Sequence, residues 1–406
     1  MSKKKKNNRI NLNSIKQFVM QRKMIFIVSL CNVMVLLFLS YLINNQALFT
    51  GEDLNKYAWM ELVKERFGLS KSIKKNKDAV FVNVAYDKQL IERHDDYGMT
   101  VGNADITDRT KLFSFLKLLQ MTDTYKYIFM DVRFEKGFDS PEDSALFAQI
   151  KKMRNIVVAT HSDIELVDSS LSSKTAINDY SATIVATNFV RYEYIKNEKP
   201  SMALYAYQGL TGNTIEKHFC FYSCNDRLCY KSLFVKMPIE NWSEFNDQQI
   251  KMYYNLGNDL LDSYSDKDIA QLTKGKYVVI GDMVEDMHDT YSGIKPGSVI
   301  TYHAFVALMN GEHFVRYGLM YFLAILYFVI SLSLFEQDSL LERIPYIKRS
   351  HSKFMHFCAS FFEYSLLLLV VMVILNMLFG IATSILLPSL YFAIQKTVIK
   401  YKNEKI

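Results

Sequence analysis

Residues 125–143 read YKYIFMDVRFEKGFDSPED: an apolar run that stops at Asp131, a polar connection, and a helix start. In SPED, Ser140 fits an N-cap, Pro141 the first helical position, and Asp143 the place that closes a capping box. The stretch is strand, loop, helix, and a strand this uniformly apolar is buried on both faces, as in a parallel sheet. The same alternation recurs on either side of it. AVFVNVAYD (79–87) reads as a strand ending on Asp87, ITDRTKLFSFLKLLQ (106–120) as a capped amphipathic helix, and NIVVAT (155–160) as a strand. KGKYVVIGD (274–282) reads as a strand ending on Asp282, and SVITYHAFVALMNG (298–311) as a helix closing on Gly311. Residues 170–240 differ: SATIVATNF and HFCFYSCNDRLCYKSLFV suit antiparallel strands and a hairpin at the sheet edge. The expectation is an α/β domain over residues 78–312, with a mostly parallel sheet, helices on both faces and an antiparallel extension.

The flanks are membrane-like. Residues 24–43, MIFIVSLCNVMVLLFLSYLI, carry no charge, and a helix of that length matches a hydrocarbon core about 30 Å thick. The adjoining NNQALFTGEDL is no small-residue cleavage site, which predicts an uncleaved anchor rather than a removed leader. A second span is expected over 317–335 and two more over 355–376 and 377–395, with a tight turn near Asn376 to Gly380. Eight Lys or Arg precede the first span, four lie in the 336–354 loop and four come after residue 395. By the positive-inside rule all three segments, residues 1–23 and the 396–406 tail among them, face the cytoplasm. The α/β domain then lies outside it, stood off the bilayer by a juxtamembrane helix and linker over 44–77. The net charge of +6 comes largely from these flanks, so Lys3–Lys6 is read as a topology signal, and nucleic acid is not an expected partner.

Several carboxylates end apolar runs. In an open parallel sheet, ligands bind at the carboxyl ends of the strands, so Asp87, Asp131 and Asp282 are candidate ligand-binding residues, with Asp286, His288 and Asp289 downstream of the last. Converging oxygens of this kind also suit a hard cation. Hydrogen bonding to loop amides is the plainer alternative for each, and Asp143 belongs to the helix cap. His303 is read as a core histidine, and GMTVG (98–102) as a flexible loop. Glu363 is an intramembrane carboxylate, costly to bury and suited to a helix contact or a polar path. Cys220, Cys224 and Cys229 cluster in FCFYSCNDRLCY: one disulfide with a leftover thiol is the leading reading, zinc with His218 and free thiols the others. Cys31 and Cys358 lie within spans. No glycine-rich phosphate loop, HExxH or GxSxG is present, so no cofactor and no catalytic residue is assigned.

Over residues 78–312 the chain resembles the second type of CHASE domain, an extracellular sensory module associated with cyclases and histidine kinases. The likeness is carried by VFVNVAYDKQLIE, by ITDRTKLFSFLKLL with Arg109, by YKYIFMDVRFE with DSPED, and by KGKYVVIGDMVEDMHDTYSGIKPGSVITYHAFVALMNG. In the last of these Asp289 and Thr290, a Pro296–Gly297 turn and Ala304 follow the family pattern, while Asn188 and Arg191 only loosely match its central signature. The resemblance implies a bacterial inner-membrane sensor, and adds Arg109 to the ligand-binding candidates. Such proteins usually continue into a cytoplasmic output domain. Here eleven residues come after the last span, too few to fold as an enzyme, which implies a separately encoded effector. The function expected is therefore a membrane-anchored, non-enzymatic sensor-like subunit that binds a small ligand or partner protein, compatible with homo-oligomerisation. The alternative is a structural subunit of an envelope complex.

Overall fold

The computed structural model describes residues 12–45, 78–94, 97, 99–161, 166–179, 191–237, 242–246, 249–335, 352–379 and 385–403. The expected juxtamembrane helix and linker, the SATIVATNF strand with Asn188, and positions 336–351 of the basic loop lie outside them. The chain forms two compact units, Asn45–Val315 and the combination of Met1–Asn44 with Arg316–Ile406.

The first is an α/β unit built on a six-stranded sheet in the order β14-β1-β15-β4-β5-β6. Its strands are β1 (Ala79–Asn83), β4 (Tyr127–Met130), β5 (Ile156–Thr160), β6 (Thr175–Ile177), β14 (Tyr254–Asn255) and β15 (Tyr277–Gly281). Every pairing in it is parallel. Strand residues alternate between two cores, as a period of two requires. Phe81, Phe129, Val157 and Val279 point to one face, under helices α4 (Met202–Thr211) and α6 (Gly297–Met309). Val80, Val82, Ile128, Val158 and Ile280 point to the other, under α2 (Arg109–Thr122), α3 (Asp143–Lys152) and α5 (Asp266–Thr273). Both faces are covered, which is why the strands contain almost no polar residue.

Three expectations are corrected. Among the described residues, the HFCFYSCNDRLCYKSLFV segment does not extend the main sheet, whose last strand on that side is β6. Strands β10 (Ile215–His218), β11 (Phe221–Cys224) and β12 (Arg227–Cys229) form a sheet of their own, turning tightly at Asn225 and Asp226, both at positive φ as a two-residue hairpin demands. Shorter ladders join β7 (Tyr192–Glu193) to β13 (Ser232–Leu233) and β8 (Ile195–Lys196) to β9 (Lys199–Pro200). Second, GMTVG is not a loop: among its described residues, Thr100–Gly102 open β3 (Thr100–Thr107), which pairs with β2 (Lys88–His94) in a long ribbon. Mixed polarity without regular alternation hid it, because the ribbon has no buried face along most of its length. Third, Pro296–Gly297 is not a turn. Pro296 ends β17 (Gly293–Pro296), which pairs with β16 (Met287–Thr290), and it caps α6.

The second unit is helical: α1 (Leu12–Asn44), α7 (Tyr317–Ser333), α8 (Lys353–Phe379) and α9 (Leu386–Asn403). Two stretches, Arg22–Asn44 and Phe354–Leu375, are long and apolar enough to cross a membrane. Helix α7 has 17 residues, and α9 carries Lys396, Lys400 and Lys402. The last break also moves: α8 continues through Phe379 and α9 starts at Leu386, so the described helix covers only part of 377–395 and runs on into the expected tail. All four helices contribute to one core, including Leu36, Tyr327, Met372 and Phe392. Inside it, Asn32 donates to Ser331 Oγ at 2.7 Å and to Gln395 Oε1 at 2.9 Å, and accepts from Tyr391 and Gln395, knitting α1, α7 and α9 together.

Candidate functional site

Asp131 extends β4 by one residue, its amide donating to Ile280 O at 2.8 Å, and this places its side chain at the carboxyl rim of the sheet. Neighbouring strand ends deliver the groups around it. Asn178, just past β6, Asp286 and His288, after β15, and His161, after β5, all lie close enough to act on its charge. Burial, followed by the negative charge of Asp286, pushes the Asp131 carboxyl up to about 7, against the opposing pull of Asn178 and the two histidines. At neutral pH it can donate a hydrogen bond as an acid or accept one as an anion.

Packing fixes this corner. Asn178 N donates to Thr160 O at 2.9 Å, and its Oδ1 accepts from Thr301 of α6 at 2.7 Å. Gly281 is needed: a Cβ there would stand 2.8 Å from Ser298 and 3.3 Å from the Asp131 Cβ, so glycine lets α6 and Asp131 close on the strand. His161 Nδ1 lies 2.7 Å from Asp179 Oδ1, and Nε2 lies 3.6 Å from the buried Glu135. Beside it opens a cleft of about 680 Å³ lined by Thr160, His161, Ser169, Ser172, Lys199 and Tyr205 among others. Its hydroxyls, imidazole and ammonium suit a small polar ligand.

The other candidates are engaged elsewhere. Asp87 is buried, takes Lys111 Nζ at 2.6 Å and the Gly257 amide at 3.0 Å, and pins the π-helical turn Leu256–Leu261 against α2. Any side chain at Gly257 would collide with that carboxyl. Arg109 is completely buried: Nε lies 3.1 Å from Asp143 Oδ1, a terminal nitrogen donates to Arg133 O at 2.9 Å, and the guanidinium lies over Phe134 at 4.4 Å. It is a core residue, enclosed with Asp143 and Phe134. Asp282 Oδ1 accepts from the amides of Val284 and Glu285 at 2.9 and 2.7 Å, closing its own loop, with Lys88 3.5 Å from the other oxygen. Asp289 is exposed on β16, opposite Ile294. The expected capping box is corrected: α3 starts at Asp143 with Glu142 rather than Ser140 at its N-cap, Asp143 accepts from Ser140 N at 2.8 Å, and the Ser140 hydroxyl turns to Glu142 instead of the helix amides.

Among the described residues no three His, Cys, Asp or Glu stand together as metal ligands, so the strand-end carboxylates do not converge as a hard-cation site. All five cysteines are free thiols. Register explains the missing disulfide: Cys224 faces Arg227 and Cys229 faces Tyr222, making the two cysteines diagonal neighbours, about 7–8 Å apart between Cα atoms and beyond the usual bridging distance. Cys220 sits in the preceding turn. His303 is held down to about 4, chiefly by burial and then by Lys295, consistent with a core role. Glu363 lies in α8 with one carboxyl oxygen shielded from solvent.

His161 and Asn178 are absent from the candidates that the sequence offers. Both come directly after apolar runs at strand ends, the same signal that singles out Asp131, but a rule written for carboxylates passes over an imidazole and an amide. Comparison with known protein families, curated proteins and solved structures returns no match for this chain.

Proposed function

We propose that the chain is a membrane-anchored, sensor-like subunit whose α/β unit lies outside the cytoplasm, binds a small ligand at the carboxyl rim, and relays its state to a separate cytoplasmic effector. The observation that carries this reading is the carboxyl rim itself, where Asp131 ends β4 and the neighbouring strand end, Thr160 and His161, opens into a cleft of mixed polar and apolar lining. A fold maintains a buried carboxyl of this kind at a cost, and such groups concentrate at functional sites. The sequence resemblance to the second type of CHASE domain supports the same reading.

Insertion of the helices in the membrane is supported by the outward faces of α7, α8 and α9. Tyr321, Ile325 and Val329 on α7, Phe362, Leu366, Val370 and Ile374 on α8, and Leu390, Ile394 and Val398 on α9 are exposed apolar residues at intervals of four, while Asn32 and Ser331 are buried. Apolar outside with small and polar inside is the pattern of helices packed in lipid. The basic flanks then set both termini in the cytoplasm.

A second reading, an assembly subunit of an envelope complex, is favoured by the β2–β3 ribbon, which exposes Leu90, Tyr97, Met99 and Val101. Affinity purification of the full-length protein from native membranes, with crosslinking and mass spectrometry, separates the two. A stoichiometric effector crosslinked to residues 336–353 or 396–406 supports sensing; partners crosslinked solely to residues 88–107 support assembly and count against the sensor.

A further inference from the structure

Strand β12 and the two residues after it hold both ends of the α/β unit. Val315 N donates to Leu228 O at 2.9 Å, Tyr230 N to His313 O at 2.8 Å, and Lys231 N to Asn45 Oδ1 at 2.8 Å. Phe314 bridges to Cys229 in antiparallel register, and Arg227 lies over its ring at 4.0 Å. Asn45 comes directly after α1, and Val315 stands just ahead of α7. One short strand therefore clasps the chain where it leaves one apolar helix and where it enters the next.

Helix α4 touches both this clasp and the cleft. Tyr207 meets the ring of the fully buried His313 at 5.3 Å, and its hydroxyl accepts from Asn213 at 2.9 Å. Two residues earlier, Tyr205 lines the cleft and donates to Ser173 O. Positions two apart lie about 200° around a helix axis, so one side of α4 is cleft wall and the opposite side backs the clasp. Its N-cap, Ser201, is bridged to Ile177 of β6, another cleft residue. Close-packed elements of this kind shift as units rather than deforming continuously.

We infer that α4 is a lever joining the cleft to the clasp: an occupant that displaces the Tyr205 side drives the Tyr207 side against His313 and moves β12 together with Asn45 and His313–Val315. The inference rests on the cleft being a ligand site, and adds the route by which occupancy reaches the chain segments continuous with α1 and α7.

Ser172→Trp places an indole in the cleft of the full-length protein as a built-in occupant. Hydrogen exchange in detergent micelles, read by mass spectrometry, is then compared for peptides covering 227–231 and 313–315. The lever predicts a change of about threefold or more in exchange at both, none at β15, and loss of the response when Tyr207→Ala is added. Tyr205→Phe, which releases Ser173 O without filling the cleft, gives the same readout if the tryptophan disturbs folding. Changes confined to the cleft, or a clasp response that survives Tyr207→Ala, overturn the lever. Either result leaves the ligand site standing; that reading fails separately, if wild-type protein retains no small molecule from native extract.

Discussion

Replacing Asp131 by Asn is expected to stabilise the α/β unit at neutral and alkaline pH while removing its ligand. Burial holds the Asp131 carboxyl up at about 7 in the fold, against 3.8 when free. At pH 8 the native state holds a carboxylate in surroundings that favour the acid, at a cost of up to about 4 kcal/mol. Solvent reaches part of the residue, so the gain recovered is about 1–2 kcal/mol. Because the folded value is raised, the native state binds more protons than the unfolded chain between about pH 4 and 7. The stabilisation from the protonated form is complete at the acid end of that window and is lost as pH rises through it. The advantage of the variant is therefore greatest at pH 8 and shrinks towards pH 4. Thermal unfolding of the full-length protein in mild detergent, followed by near-ultraviolet circular dichroism, reads it as a rise of about 3–6 °C. A variant less stable than wild type at pH 8, or a difference independent of pH, refutes the claim that the fold holds Asp131 against its own ionisation.

Arg109→Met strands Asp143 in the core and should cost about 3–5 kcal/mol in urea unfolding; a loss below about 1 kcal/mol would show the buried pair to be dispensable. Asn32→Leu removes the hub that joins three helices and should weaken the helical unit by about 1–3 kcal/mol in detergent denaturation, an effect absent if those bonds re-form with other partners. His313 is held down to about 4 by burial and then by Arg227, as His303 is by burial and Lys295. Free histidine titrates near 6.5, so the unfolded chain binds more protons and stability falls as pH drops from about 6.5 to 4. His313→Leu should flatten part of that fall, and an acid-unfolding profile unchanged by the substitution contradicts it.

The sheet was legible because its strands are buried on both faces. Runs such as YIFM and YVVIG are short and bounded by polar breaks, which favours buried strands over helices, and SPED lies at the point where the helix after the first of them begins, at Asp143. The ribbon over 88–107 was not legible, because KQLIERH and TVGNADIT carry mixed polarity without a buried side to impose a pattern. At the rim, the strand-end rule named Asp87, Asp131 and Asp282 alike; the bonds of Asp87 to Lys111 and the Gly257 amide depend on tertiary neighbours, whereas Asp282 bonds amides of its own loop, the plainer alternative open from the start. Arg109 shows the same limit: its burial depends on the entry angle of α2, which no local motif encodes. The cysteine spacing suggested a bridge, but pairing register decides which thiols face each other.

The sensor reading stands or falls on whether the rim beside Asp131 holds a small ligand. Native mass spectrometry of the full-length protein, released from its own membranes in mild detergent, tests it most directly. The account predicts a single small-molecule adduct on the wild type that disappears in a folded His161→Ala variant. Bare protein in both, or an adduct indifferent to His161, would contradict it.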